Sequence, residues 1–260
     1  MHPLVNIGVK AARKAGALMI NSLNREAPLE VFSKGPHDYV TQVDRDVEAC
    51  IIDVIHKAYP HHAILGEESG HSGDNDICWI IDPIDGTTNA IHGFPHYAVS
   101  IAVRMGNDVS HAIIYDPLRD ELFTASKGAG AYLNQRRIRV PNQVRLSDAL
   151  IGTGFPFKDM RHLDAYLRIF KELCPAAAGI RRAGAATLDL AYVAAGRLDG
   201  FFEFGLQPWD FAAGNLLVSE AGGFVTDFKG GNDFSHGNIL AGSGRVHKEL
   251  LVLIQQQLRS

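Results

Sequence analysis

The stretch Trp79-Ile80-Ile81-Asp82-Pro83-Ile84-Asp85-Gly86-Thr87-Thr88-Asn89 constrains this chain more than any other. Apolar residues lead straight into an acidic turn, the pattern of a buried strand that ends in a loop. Pro83 has no N–H and a fixed φ, so the expectation is that a central strand stops there. The backbone then turns where Asp82 and Asp85 sit three residues apart. Carboxylates held this close repel, and burying them is costly unless a positive charge joins them. Asp oxygens with a backbone carbonyl between them are hard donors suited to Mg²⁺. Gly86 permits close approach of a ligand, and Thr87 and Thr88 offer hydroxyl and N–H groups to a phosphate or a water. An Asx-type turn with capping aspartates accounts for the same spacing without any ligand. An EF-hand loop does not, because its alternating ligands and distal glutamate are absent.

Composition narrows the class. At 260 residues, with 46% hydrophobic and 21% charged residues, the chain has ample material for a core. A net charge of −4 argues against a dedicated nucleic-acid binder. Cys50, Cys78 and Cys174 are odd in number and widely spaced, which suggests neither a disulfide framework nor a thiolate zinc site. Reduced cysteines fit a cytoplasmic location best. No apolar run reaches membrane-spanning length, so no membrane partner is expected.

Periodicity supplies the elements. Leu4, Ile7, Gly8, Ala11, Ala15, Leu18 and Met19 recur at helical spacing, predicting a first helix over 3–23. A short hairpin is expected around 29–33. Thr41 followed by Asp44 reads as a capping box for a second helix that buries Val47, Cys50, Ile51, Val54 and Ala58. Residues 64–68 read as a strand delivering Glu67 and Glu68 to a loop, with a Gly/Ser/Asp-rich flexible loop over 69–76. Segments 97–103, 109–115 and 121–125 read as an antiparallel meander. Arg136, Arg137 and Arg139 follow it as a solvated, charged edge. A strand at 149–153 precedes a helix ended by Cys174-Pro175, then a helix over 187–195. The Gly184-Ala185-Ala186 start of that helix can either hold an anion or simply pack closely. Glu203 lies alone in an aromatic strand, Gly200-Phe201-Phe202-Glu203-Phe204, which is unlike a decorative position. Pro208 suits the first position of a helix, placing Asp210 in its first turn against free N–H groups. A last helix is expected over 246–258.

Gly66-Glu67-Glu68-Ser69, the Asp82-to-Thr88 segment and Pro208-Trp209-Asp210 together resemble the inositol monophosphatase family of magnesium-dependent phosphatases. Lys34-Gly35, Asp38-Tyr39-Val40-Thr41-Gln42-Val43-Asp44, Gly154-Phe155-Pro156-Phe157-Lys158 and the run from Leu188 to Arg197 extend the likeness over nearly the whole chain, and nearest to the bacterial SuhB-type branch. The resemblance implies an α+β fold, a layered α-β-α-β-α sandwich, as one domain over 1–260 with halves of about 1–140 and 141–260. It implies hydrolysis of inositol 1-phosphate or a similar phosphate monoester by water activated at Mg²⁺.

By the same resemblance, Glu67, Asp82 and the Ile84 carbonyl hold a first ion. Asp82, Asp85 and Asp210 hold a second, and a third, weaker one sits by Glu67. Thr87, hydrogen-bonded to Asp44, orients the attacking water with help from Glu67. The Gly86 and Thr87 amides hold the phosphate, Glu203 and the Gly184-Ala185-Ala186 turn contact the inositol, and Lys34 lies near the metals. Ala185 departs from the serine or threonine of many members, removing a hydroxyl from the substrate. Lithium sensitivity and a homodimer are further implications. Two alternatives stand beside this reading. One is a transcription-antitermination partner contacting RNA polymerase and Nus factors through Arg136, Arg137, Arg139 or Arg181 and Arg182. The other is a related phosphatase of 3′-phosphonucleotides or sugar bisphosphates.

Overall fold

The structure is a computed structural model that describes residues 2–24, 31–35, 38–141, 144–157 and 159–259, with the backbone alone at 31, 33–35, 38 and 39. In chain order the elements are α1 (Pro3–Leu23), β1 (Val31–Gly35), β2 (Asp38–Thr41), α2 (Gln42–Ala58), β3 (Ala63–Gly66), β4 (Gly70–Ser72), β5 (Ile77–Asp85) and α3 (Thr87–Ile91). A meander follows as β6 (Ala98–Met105), β7 (Asp108–Asp116), β8 (Glu121–Ser126), β9 (Gly130–Leu133) and β10 (Arg136–Ile138). The remainder is β11 (Leu150–Thr153), α4 (Leu163–Ala176), β12 (Gly179–Arg181), α5 (Ala186–Ala194), β13 (Gly200–Glu203), α6 (Pro208–Glu220), β14 (Phe224–Thr226), β15 (Ile239–Gly242) and α7 (Gly244–Arg259).

Two mixed sheets organise these elements, with β1 and β2 set apart as an antiparallel pair. The larger has the order β10-β9-β8-β7-β6-β5-β3-β4, and the smaller β12-β11-β13-β15-β14. The pair β3 and β5 runs parallel, as do β11 with β12 and β11 with β13. Helices α1 and α2 cover one face of the larger sheet through Ala11, Ala15, Met19, Val47 and Ile51. Helices α5 and α6 lie between the sheets, and α4 and α7 cover the far face of the smaller one. This is the α-β-α-β-α layering. It explains why α5 and α6 lack a polar face: a helix between two sheets buries all sides. The central cluster draws Ile80, Ala102 and Phe123 from the first half and Leu188, Leu190 and Leu217 from the second.

Several expectations need correction. The strand before the acidic turn does not stop at Pro83. β5 continues to Asp85 through a bulge, with Asp82 opposite Ser100 and Asp85 opposite Ala98. A bulge leaves one residue out of the ladder, so a proline without an N–H costs nothing there. The early hairpin pairs 31–35 with 38–41, later than expected, and 29–30 lie outside the described residues. On α2, Ala58 is exposed and Cys50 half-buried, while Glu48 and Ile55 take the buried positions. The 69–76 loop contains β4, paired antiparallel with β3. α4 runs one residue past Pro175 to Ala176, and the Ala177 N–H still reaches the Leu173 carbonyl at 3.0 Å. Among the described residues no helix is long and apolar enough to cross a membrane.

Candidate active site

A cleft of about 1070 Å³ opens where the acidic turn meets the starts of α5 and α6. Glu67, Asp82, Ile84, Asp85, Gly86, Thr87, Gly184, Ala186, Glu203 and Asp210 all line it. Positions far apart in the chain are thus gathered around one cleft. Lys34 lies in β1, and its side chain falls outside the described residues, as does Lys158.

Each acidic side chain is delivered by a different device. Asp82 sits in the β5 bulge, 2% exposed, and its Oδ1 accepts the Ile84 N–H at 3.0 Å. The Asx turn considered from sequence is therefore real, and it coexists with a place in the acidic cluster. Asp85 follows on the same strand, and its Oδ2 accepts the Thr187 N–H at 2.6 Å. The start of α5 thus holds an anion, but the anion is Asp85. Glu67 leaves the end of β3 with its own N–H bonded to the Ile81 carbonyl at 3.1 Å, beside Asp82. Asp210 stands in the first turn of α6, where its Oδ2 accepts the Gln207 N–H at 2.7 Å.

Burial, then the charges of Glu67, Asp85 and Asp210, holds the Asp82 carboxyl well above the usual carboxylate range. A cation among these oxygens would reverse that cost, and hard oxygen donors suit Mg²⁺. Among the described residues no three such side chains already close into a complete metal-ligand group. The donors are gathered around the cleft and repel one another, which is the arrangement a divalent ion would draw together. The donor set therefore fits the implied metal.

Beside the acids, Gly86 turns the chain with φ 94°, and a Cβ there would lie 2.9 Å from the His96 carbonyl oxygen. Only glycine combines that φ with that contact. The short α3 that follows leaves first-turn N–H groups without helical partners at the cleft wall. The Thr87 hydroxyl lies 3.0 Å from both Asp44 Oδ1 and the Ile84 carbonyl oxygen. The expected Thr87–Asp44 pair is thus formed. Asp44 itself is 1% exposed behind the cleft wall, its Oδ2 accepting the Thr41 N–H and hydroxyl at 2.8 and 2.6 Å.

At the other end, Glu203 is half-buried beneath Gly154, where any Cβ would collide with its carboxyl oxygens. Burial, then Asp189, Asp210 and Asp85, raises the Glu203 carboxyl well above its ordinary value, with the Arg182 guanidinium opposing. Asp189, buried on α5, is raised by burial and then by Asp85, again against Arg182.

Some placements differ from expectation. Ala185 does not line the cleft; it is 1% exposed and packs in the central apolar cluster. Its missing hydroxyl is therefore a matter of packing between the sheets. The Arg181-Arg182 pair also divides. Both are exposed, but Arg182 lines the cleft and lies over the Phe155 and Phe157 rings at 5.2 and 5.1 Å. Sequence reasoning missed Asn89, whose Nδ2 donates to the His96 and Ala183 carbonyls at 2.7 and 2.9 Å, tying α3 to the turn before α5. It also missed Glu48. The available signal was spacing: Glu48 falls one turn after Asp44, on the buried face of α2.

The model of the inositol monophosphatase family matches residues 1–260. The chain belongs to that family. Among family relatives, "Nus factor SuhB" of Pseudomonas aeruginosa is 54% identical over 265 residues, covering 99% of this chain and 98% of the relative. "Nus factor SuhB" of Escherichia coli K12 is 52% identical over 261 residues, with 99% and 98% covered. Among solved structures, the extragenic suppressor protein suhB from Bartonella henselae superposes with a TM-score of 0.95 at 45% identity, covering 98% of this chain and 99% of that one. The Thermotoga maritima IMPase gives 0.90 at 35% identity, with 99% of each covered. As an inositol monophosphatase family member, the chain has a phosphatase fold with its acidic cleft at the junction of the two sheets.

Proposed function

We propose that this protein hydrolyses phosphate monoesters, inositol 1-phosphate or a close analogue, with Mg²⁺ as cofactor. The observation that carries the reading is the gathering of Glu67, Asp82, Asp85 and Asp210 around one cleft, where burial first and then the other three acids hold the Asp82 carboxyl above its ordinary range. Glu67, Asp82, the Ile84 carbonyl, Asp85 and Asp210 would hold two ions, and Glu67 a third, weaker one. When bound, such ions polarise the phosphoryl oxygens and make water a better nucleophile.

The chain's own groups do the rest. The Thr87 hydroxyl accepts a proton from the attacking water while donating its own toward Asp44 Oδ1, 3.0 Å away. Glu67 assists in activating that water. The Gly86 and Thr87 amides receive the phosphate oxygens at the start of α3. Glu203 and the turn at Gly184 and Ala186, which line the cleft, face the leaving alcohol. The reaction belongs in the cytoplasm, where Cys50, Cys78 and Cys174 stay as the free thiols found here.

The deciding experiment is phosphate release from inositol 1-phosphate with Mg²⁺ titrated, with and without Li⁺, beside 3′-phosphoadenosine 5′-phosphate and fructose 1,6-bisphosphate. Mg²⁺-dependent, Li⁺-sensitive turnover strongest on inositol 1-phosphate is expected. Silence on all three substrates defeats the reading, and stronger turnover on either of the others moves it to the 3′-phosphonucleotide or sugar-bisphosphate class. Glu203→Ala should raise KM for inositol 1-phosphate more than for p-nitrophenyl phosphate. Equal effects would show that Glu203 does not read the alcohol.

A second reading rests on the relatives named "Nus factor SuhB". By likeness to them, we propose that the protein also contacts the transcription machinery, as a homodimer. Arg136 and Arg137 on β10 and the nearby Arg139 are exposed at the sheet edge and available to an acidic partner. Charge reversal at these three positions should reduce recovery of RNA polymerase in a pull-down while leaving phosphate release intact. Unchanged recovery removes this surface from consideration.

A further inference from the structure

Glu48 is a buried carboxylate that the reaction does not use. It lies on α2, is 2% exposed, and faces the loop that carries Glu67. Its Oε2 accepts the Glu68 N–H at 3.0 Å and its Oε1 the Ser69 N–H at 2.8 Å. One carboxylate thus bridges two successive amides. The residue just before them is fixed from the other side, because the Glu67 N–H donates to the Ile81 carbonyl at 3.1 Å. β3 and β5 pair in parallel there, with Gly66 beside Ile81. Backbone hydrogen bonds at 67, 68 and 69 therefore leave the Glu67 carboxylate only its own side-chain rotations. The fit is close. A Cβ at Gly66 would lie 2.6 Å from Glu48 Oε2, so the turn is built against the buried carboxylate.

We infer that Glu48 is a positioning residue that sets the Glu67 carboxylate for cation binding; the inference rests on the metal reading of the cleft proposed above. A buried charge is costly, and here two charge-assisted bonds to a turn offset it. A carboxylate fixed before the ion arrives loses less freedom on binding than one on a loose turn, which favours affinity. Helix α2 then serves both walls of the cleft. Asp44 holds Thr87 on one side, and Glu48, one turn later, holds the Glu68 and Ser69 amides just after Glu67 on the other.

The test uses the full chain with Glu48→Gln and Glu48→Asp. Glutamine keeps the volume but turns an N–H group toward one of the two amides. Aspartate keeps the charge but falls a methylene short. Mg²⁺ binding is measured by calorimetry without substrate, together with the Mg²⁺ dependence of phosphate release and the thermal midpoint. Both variants are expected to bind Mg²⁺ about tenfold more weakly. Turnover at saturating Mg²⁺ should fall less than the affinity does, because bound ions themselves hold the Glu67 carboxylate in place. If either folded variant binds Mg²⁺ as the unaltered chain does, with only a lowered midpoint, Glu48 merely braces the turn and the inference is wrong. If the unaltered chain binds Mg²⁺ but releases no phosphate, the hydrolase reading fails while the binding comparison still decides the role of Glu48. If the unaltered chain binds no Mg²⁺, both fall.

Discussion

Asp85 serves two elements at once. Its carboxylate lines the cleft, and its Oδ2 also accepts the Thr187 N–H at the start of α5. Asp85→Asn separates the two roles, because the amide oxygen can still accept that bond while the charge is gone. Phosphate release should fall by about a hundredfold, while stability to urea changes by about 1 kcal/mol. Near-normal turnover would remove Asp85 from the metal site. Asp82 gives a second residue-scale prediction. Burial and three neighbouring acids raise its folded-state pKa, so the metal-free folded protein binds protons more readily than the unfolded chain. Stability from this group is therefore present at low pH and is lost as pH rises toward the raised pKa. Mg²⁺ displaces the proton, so its stabilising effect should grow in the same direction. The Mg²⁺-induced rise in thermal midpoint should be larger at about pH 8 than at about pH 5.5. An increment independent of pH would mean that the ion binds elsewhere. Asp82, Asp85 and Asp210 were legible in the chain because their motifs are compact and carry a proline or glycine marker. Glu48 was legible only as a buried helix position, one turn after Asp44, because a glutamate in a helix ordinarily faces water and its partners lie on a loop some twenty residues away.

Helix α2 couples stability to chemistry through its first turn. The Thr41 hydroxyl oxygen accepts the Val43 N–H at 3.1 Å and donates to Asp44 Oδ2, while Asp44 Oδ1 faces Thr87. Thr41→Ala should cost about 1–2 kcal/mol in urea unfolding as a lost cap. It should also lower kcat, since Asp44 loses a bond that aims it at Thr87, with the Mg²⁺ constant little changed. Thr41→Ser should recover most of both effects. A loss of stability with kcat untouched would show that Asp44 keeps its aim without the cap. Elements of this kind, long and strongly periodic, were readable: α1 spans the expected 3–23, and α2 begins at the expected capping box. The three- and four-residue strands β4, β12, β14 and β15 were not. A strand that short shows barely one alternation, and its existence depends on a neighbour far along the chain. The β5 bulge was hidden for another reason, since a proline in a strand signals an end unless the register is known.

At the scale of the whole molecule, the site depends on how closely the middle layer packs. Asp85 is tied to α5 through Thr187, and Asp210 rides on α6, so the separation of these two helices sets the separation of two acids. Gly214 controls that separation, because a Cβ there would lie 2.5 Å from Leu190 Cβ. No such constraint is visible in the sequence, where Gly214 is one small residue in Phe211-Ala212-Ala213-Gly214. Gly214→Ala should destabilise the protein by about 1–3 kcal/mol through overpacking. The added strain is not confined to the core, since pushing α5 from α6 moves Asp85 relative to Asp210, and Mg²⁺ affinity should fall with stability. Gly16→Ala supplies the comparison. It crowds α1 against Tyr115 in an outer layer, with a Cβ 2.7 Å from the ring, and it should destabilise by a similar amount. α1 carries none of the cleft residues, so Mg²⁺ affinity measured by calorimetry should hold in that variant. Equal losses of Mg²⁺ affinity in the two variants would show that the cleft answers to global stability alone. A loss confined to Gly214→Ala would show that the spacing of the middle layer is part of the site.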